Sequence, residues 1–297
     1  MRRLALTALL LLAPGSPALS QQQAGALQAV LANGYRFAYA ESGAGRPVIL
    51  VHGALSDYRF WDSLRAAGSD SIHFIAYSRR YHAPNPWRPD DPPAGYEASA
   101  ADLAAMIRAL RLEKPVLVGH SWGGGVVLQA ALRFPELIGG VVLAEPVADS
   151  MIEDSAYRAQ VADWTRRTYA EALARDPGRQ PEIAARVLFD AWRGEDAWSR
   201  LSPRDREQLS DNAHTLRSSA SPQPAVSCAH VGRLHVPMLL VGGGQSPLRF
   251  RTTLDGLASC LPEARRDTIP EAGHRFPSTH AAGFHQILTR FLATLPR

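Results

Sequence analysis

Lysine is almost missing from this chain: Lys114 is the only one, although Lys and Arg together number 32. The arginines are scattered rather than gathered into a run or stripe, and nothing resembles a nucleic-acid motif, so no nucleic-acid partner is expected. The formal net charge is +4 and includes Arg2 and Arg3; without those two the remainder is closer to neutral. Cysteine is scarce too, with only Cys228 and Cys260. No grouping of Cys and His has metal-ligand spacing, so neither a metal nor another cofactor is expected. After the first 20 residues no apolar stretch is long enough to span a bilayer, so no stable membrane insertion is expected. What remains is a chain of 297 residues, enough for one large α/β domain with an insertion. Its oligomeric state stays open.

The first 20 residues read as a secretory signal. Met1-Arg2-Arg3 is a charged start, Leu4 to Ala13 a short apolar middle, and Ala18-Leu19-Ser20 a small-residue cleavage site before Gln21. A buried N-terminal helix would need a helical period, and Pro14, Gly15 and Pro17 follow at once. Export to a periplasm or to the medium is therefore expected. In an oxidising compartment Cys228 and Cys260 could be bridged or could remain two separate small side chains; their spacing does not decide it.

Short apolar runs bounded by turns read as strands: Tyr35 to Ala40, Val48 to Val51, His73 to Ala76, Val116 to Val118, Ile138 to Leu143, Met238 to Val241 and, more weakly, Arg266 to Ile269. Helical patterns lie between them near Phe60 to Ala67, at Glu97 to Leu110 and at Trp122 to Phe134, with an amphipathic helix closing the chain at His280 to Leu295. Such alternation predicts an α/β fold, a mostly parallel twisted sheet covered by helices on both faces. Between residues 147 and 234 the strand signal stops. Helical segments carrying Tyr157, Trp164, Tyr169, Phe189, Trp192 and Trp198 take over, as an inserted lid would. The core is then 21–146 with 235–297. Those aromatics can bind the inserted helices to one another, and some should face a pocket.

Gly119-His120-Ser121-Trp122-Gly123 joins the apolar strand Val116 to Val118 to a helix. A sharp strand-to-helix turn crowds its neighbours, so glycine is needed on both sides of the residue it presents. Ser121 would stand above the sheet edge, with helix N-terminal amides pointing at any oxyanion formed beside it. That is the setting of a nucleophilic serine.

Together, Val51-His52-Gly53-Ala54, Gly119-His120-Ser121-Trp122-Gly123 and Ala272-Gly273-His274 resemble the α/β-hydrolase fold superfamily over nearly all of the sequence after the leader. The resemblance implies a serine hydrolase with the backbone N–H groups of Ala54 and Trp122 as its oxyanion hole. It also implies that His274, after the last strand, is the general base for Ser121, and that His52 is a hydrogen-bonded scaffold residue. The chain departs from the commonest pattern at the acid. After strand seven, Val241-Gly242-Gly243-Gly244-Gln245-Ser246-Pro247 offers only Gln245, and a neutral amide cannot stabilise imidazolium by charge. Glu145, after strand six in Leu143-Ala144-Glu145-Pro146, is assigned the role instead. Its alternative use is capping or ion pairing at the start of the insertion, and Asp149 and Asp255 are weaker substitutes.

Tyr77 to Trp87 is an unusually polar, aromatic loop after strand four. Its groups could line the pocket mouth, or its arginines could tie a proline-stiffened loop to the sheet. The expected activity is hydrolysis, through an acyl-enzyme, of a small or medium, largely uncharged ester or lactone, since no cationic clamp is evident. A ligand-binding protein without turnover, a C–C bond hydrolase and an acyltransferase are the alternatives on the same fold.

Overall fold

The computed structural model describes residues 26–68 and 71–296, so the expected leader lies outside the described residues. Eight strands form one sheet: β1 (Gln28–Ala32), β2 (Tyr35–Ser42), β3 (Arg46–Val51), β4 (Ile72–Tyr77), β5 (Val116–His120), β6 (Gly140–Ala144), β7 (Met238–Gly243) and β8 (Arg265–Ile269). Their spatial order is β1-β2-β4-β3-β5-β6-β7-β8. The β1–β2 and β2–β4 pairs are antiparallel, and all the others are parallel.

Both faces of the central strands are dry, which is why they read as unbroken apolar runs. Along β3, Ile49 and Val51 join one core while Val48 and Leu50 join the other; β6 divides Val141 and Leu143 from Val142 and Ala144 in the same way. The sequence reading omits β1. Its side chains are mostly exposed, so no apolar run marks it, but Asn33 and Gly34 both take positive φ (47° and 68°) in the hairpin turn that follows. An Asn-Gly pair is the residue choice such a turn requires.

Helices α1 (Asp62–Ala66), α2 (Tyr96–Ala109) and α3 (Trp122–Arg133) precede β6. Helices α4 (Ser155–Leu173), α5 (Pro181–Arg193), α6 (Pro203–Asp211), α7 (Leu216–Ser219) and α8 (Cys228–Val231) lie between β6 and β7, and α9 (Leu248–Cys260), α10 (Phe276–Thr279) and α11 (Ala281–Leu292) follow. The apolar sides of α2, α3 and α9 cover one face of the sheet, and those of α1, α10 and α11 cover the other. The sequence reading also omits α9, where Thr252, Thr253 and Gly256 weaken the local helical signal. Burial of Leu254 and Leu257 against the sheet supplies what propensity lacks.

The helices between β6 and β7 have a small core of their own around Leu188, Phe189, Trp198, Leu209 and Leu216. Polar contacts fasten them to the sheet layer. The buried carboxylate of Asp57 accepts from Gln208 Nε2 at 2.9 Å and Asn212 Nδ2 at 2.7 Å, and Asp205 pairs with Arg275 at 2.7 Å.

Cys228 and Cys260 are joined in a disulfide, with their Cα atoms 5.0 Å apart across a separation of 32 residues. The bridge ties α8 to the end of α9, and so the return of the inserted segment to the helix after β7. Closing a loop of that length removes about 3–4 kcal/mol of unfolded-state entropy. Cys228→Ser with Cys260→Ser should therefore lower the unfolding free energy by about 3 kcal/mol in chemical denaturation; a loss below about 1 kcal/mol would show that the loop is already restrained in the unfolded chain.

Candidate active site

The turn between β5 and α3 places Ser121 in a backbone conformation that side chains avoid, φ 55° and ψ −122°. It is pinned from several directions. Ser121 N–H donates to the Ala144 carbonyl at 3.0 Å, and the Ser121 carbonyl accepts from Gly124 and Val147, each at 2.9 Å. Glycine is obligatory beside it: a Cβ on Gly123 would lie 2.3 Å from the Val51 carbonyl oxygen, and one on Gly119 would lie 2.6 Å from that of Gly123. The strain is held by packing of the α3 backbone directly on β3.

Glu145 follows β6, also with positive φ (48°), and its side chain is fully buried. One carboxylate oxygen, Oε1, accepts from Gly243 N–H at 2.7 Å at the end of β7. The other, Oε2, accepts from His274 Nδ1 at 2.5 Å. The structure thus brings Glu145 to His274 and leaves the other candidates elsewhere: Gln245 is exposed and bonded to Glu271, Asp149 forms a two-point pair with Arg249, and Asp255 pairs with Arg266 on the surface.

Donation from Nδ1 leaves His274 Nε2 as the acceptor nitrogen. The ring is clamped by Phe250, stacked at 3.7 Å between centroids, and by His120 at 4.6 Å; His120 Nε2 also donates to the His274 carbonyl at 2.8 Å. Burial, with the guanidinium groups of Arg193, Arg249 and Arg275 nearby, holds His274 well below the ordinary imidazole range. Burial pushes the Glu145 carboxyl up, opposed by the Gly243 N–H.

Ala54 and Trp122 line the same cavity as Ser121 and His274, and neither backbone N–H donates to another group among the described residues. The loop bearing Ala54 is fixed from beneath. Arg79 donates from Nε to the His52 carbonyl at 3.2 Å and from Nη2 to the Gly53 carbonyl at 3.0 Å and to His82 Nε2 at 3.0 Å. Its guanidinium lies 4.1 Å above the Trp122 ring. His52 is buried and bonded through both nitrogens, to Gly53 O and from Arg79 N–H. Arg80 pairs with Asp102, and Asn85 holds Ser78, Arg79 and Ala38. The polar loop after β4 is therefore a tie, and none of its residues lines the cavity.

That cavity has a volume of about 980 Å³. Of the six aromatics singled out in the inserted segment, Tyr157, Trp164, Tyr169, Phe189 and Trp192 reach it, while Trp198 packs away against Phe189. Five arginines line it as well: Arg158, Arg166, Arg193, Arg249 and Arg275. The sequence shows no cationic clamp because those residues come from separate segments. His120 and Phe250 were missed for the same reason: one hides inside the serine motif and the other on an unrecognised helix, and only tertiary contact sets them against His274.

Residues 46–281 match the family model described as the alpha/beta hydrolase fold. A 2-hydroxymuconate semialdehyde hydrolase of a Pseudomonas species is 24% identical over 277 residues, covering 89% of this chain and 93% of that protein. An uncharacterized protein of Mycobacterium tuberculosis is 30% identical over 169 residues, 56% of this chain, so the matched part spans about half, 48%, of that relative. Among solved structures, a thermophilic esterase from Thermogutta terrifontis superposes with a TM-score of 0.73 at 21% identity, covering 91% of this chain and 98% of that one. A hydrolase from Pseudomonas aeruginosa gives 0.75 at 23%, covering 92% and 100%. With the family model spanning most of its length and the sheet order to match, this chain belongs to the α/β-hydrolase fold family.

Proposed function

We propose that the protein is an exported serine hydrolase that cleaves a small or medium carboxylic ester or lactone through an acyl-enzyme. One observation carries the reading: Ser121, held on a strained turn, opens into the same cavity as His274, whose Nδ1 is hydrogen-bonded to the buried carboxylate of Glu145. In this mechanism Ser121 Oγ attacks the acyl carbon while His274 Nε2 takes its proton. Glu145 stabilises the imidazolium so formed, and the N–H groups of Ala54 and Trp122 receive the oxyanion. His274 then protonates the leaving alcohol. Water, deprotonated in turn by His274, releases the acid and restores Ser121.

The size of the cavity and its aromatic lining support a substrate whose body is hydrocarbon. The contact of Glu145 with His274 supports turnover over ligand binding alone, because it gives the histidine a charged partner although no acid follows strand seven. Export is supported by the pattern of the first 20 residues and by the Cys228–Cys260 bridge, since disulfides persist in oxidising compartments. The inserted segment, 147–234, serves as the lid of the cavity in this reading.

The test is turnover of p-nitrophenyl esters from short to long acyl chains. Ser121→Ala should lower kcat by at least about 10³-fold and Glu145→Gln by about 10²–10⁴-fold; activity surviving in Ser121→Ala would overturn the reading. Neutral His274 is the working form and burial lowers its pKa, so protonation sets in below the ordinary value of 6.5. The acid limb of kcat/KM should accordingly fall below pH 6.5, and an inflection at or above 6.5 in the pH profile would contradict it.

A further inference from the structure

Of the five arginines around the cavity, four are already engaged. Arg166 pairs with Asp163, Arg249 with Asp149 and Arg275 with Asp205, and Arg158 donates to the Ile152 carbonyl. Arg193 is different: among the described residues it makes neither an ion pair nor a hydrogen bond. It closes α5 four residues after Phe189, and that spacing puts both on one side of the helix, the side that lines the cavity.

A guanidinium in a part-dry site without a bonded partner is costly, because water is withdrawn and nothing accepts its N–H groups; the Glu145 carboxylate acts on it only through its field. Burial, reinforced by the neighbouring positive charge of Arg275 and opposed by the Glu145 carboxylate, pushes Arg193 down to about 10. Helix α5 already has its buried apolar side in Ala184, Ala185, Leu188 and Phe189, and its C-terminus is closed by Gly194 with φ 93°. The pocket otherwise offers aromatic rings, neutral polar groups and charged groups that already have partners. A planar fork of free N–H donors at the edge of an apolar cavity is the arrangement that receives a carboxylate in two-point geometry.

We propose that Arg193 binds a carboxylate carried by the substrate, so that the preferred substrate class is a half-ester of a dicarboxylic acid: one end esterified at Ser121, the other ionised at Arg193. This rests on the serine-hydrolase reading above and narrows it. The hydrocarbon between the two ends lies against the aromatic lining, and an expectation of a largely uncharged substrate gives way to one of a single negative charge.

The test has two arms. In the first, kcat/KM is measured for mono-p-nitrophenyl esters of succinate, glutarate and adipate against the uncharged butanoate, pentanoate and hexanoate esters. At least one half-ester should be preferred over its uncharged counterpart by about 10-fold or more, and Arg193→Met should shrink that ratio by about 10-fold or more, with Arg193→Lys falling between. In the second arm, titration calorimetry follows monoethyl glutarate binding to the Ser121→Ala protein. Adding Arg193→Met should weaken that binding by about 10-fold or more. A ratio indifferent to Arg193, together with unchanged binding, overturns the proposal while leaving the hydrolase reading intact. Equal losses on charged and uncharged esters with a displaced pH profile also overturn it, because Arg193 would then act on Glu145 and His274 instead. Arg193-dependent binding with no turnover of any ester sustains the carboxylate site and sinks the esterase.

Discussion

A carboxylate that water cannot reach must be held by fixed donors, and the placement of Glu145 makes the rest of the site answer to that need. Its side chain is fully buried, so each oxygen requires a partner. Gly243 at the end of β7 supplies an N–H and His274 supplies the other. Strand seven thus contributes a backbone donor where relatives of the commonest pattern place an acid, and the carboxylate arrives from strand six instead. His274 is in turn clamped between Phe250 and His120 and has one orientation to offer.

The neighbouring parts are braced by the same logic of dry polar groups paired with defined partners. Arg79, buried without a carboxylate, spends its donors on the carbonyls of His52 and Gly53 and on His82, and so sets the height of the Ala54 loop. Charge without a counter-ion is tolerated there because carbonyl dipoles and the Trp122 face surround it. The Arg193 side chain has no such carbonyl partners among the described residues, which sets it apart from this structural guanidinium.

Much of this was legible along the chain. The parallel strands announce themselves because both faces are buried and their side chains are uniformly apolar. Ser121 is recognisable because the backbone of α3 approaches β5 at Gly119 and β3 at Gly123 so closely that only glycine fits at either. Glu145 could be named from the resemblance, which allows the acid after strand six once Gln245 is seen to carry no charge. Other features were hidden. The edge strand β1 is exposed and carries no apolar pattern, and α9 forms against its own propensities because the sheet buries Leu254 and Leu257.

The sequence by itself determined the layered α/β architecture and the tight strand-to-helix turn at Ser121, because periodicity and glycine spacing are local consequences of strand, helix and turn geometry. Only the tertiary structure decided which carboxylate meets His274, that Cys228 and Cys260 are bridged, that the loop after β4 is a brace, and which arginine is left without a partner. Those outcomes depend on contacts between residues up to about half the chain apart, such as Glu145 with His274 at a separation of 129, and no local pattern encodes the distance between them.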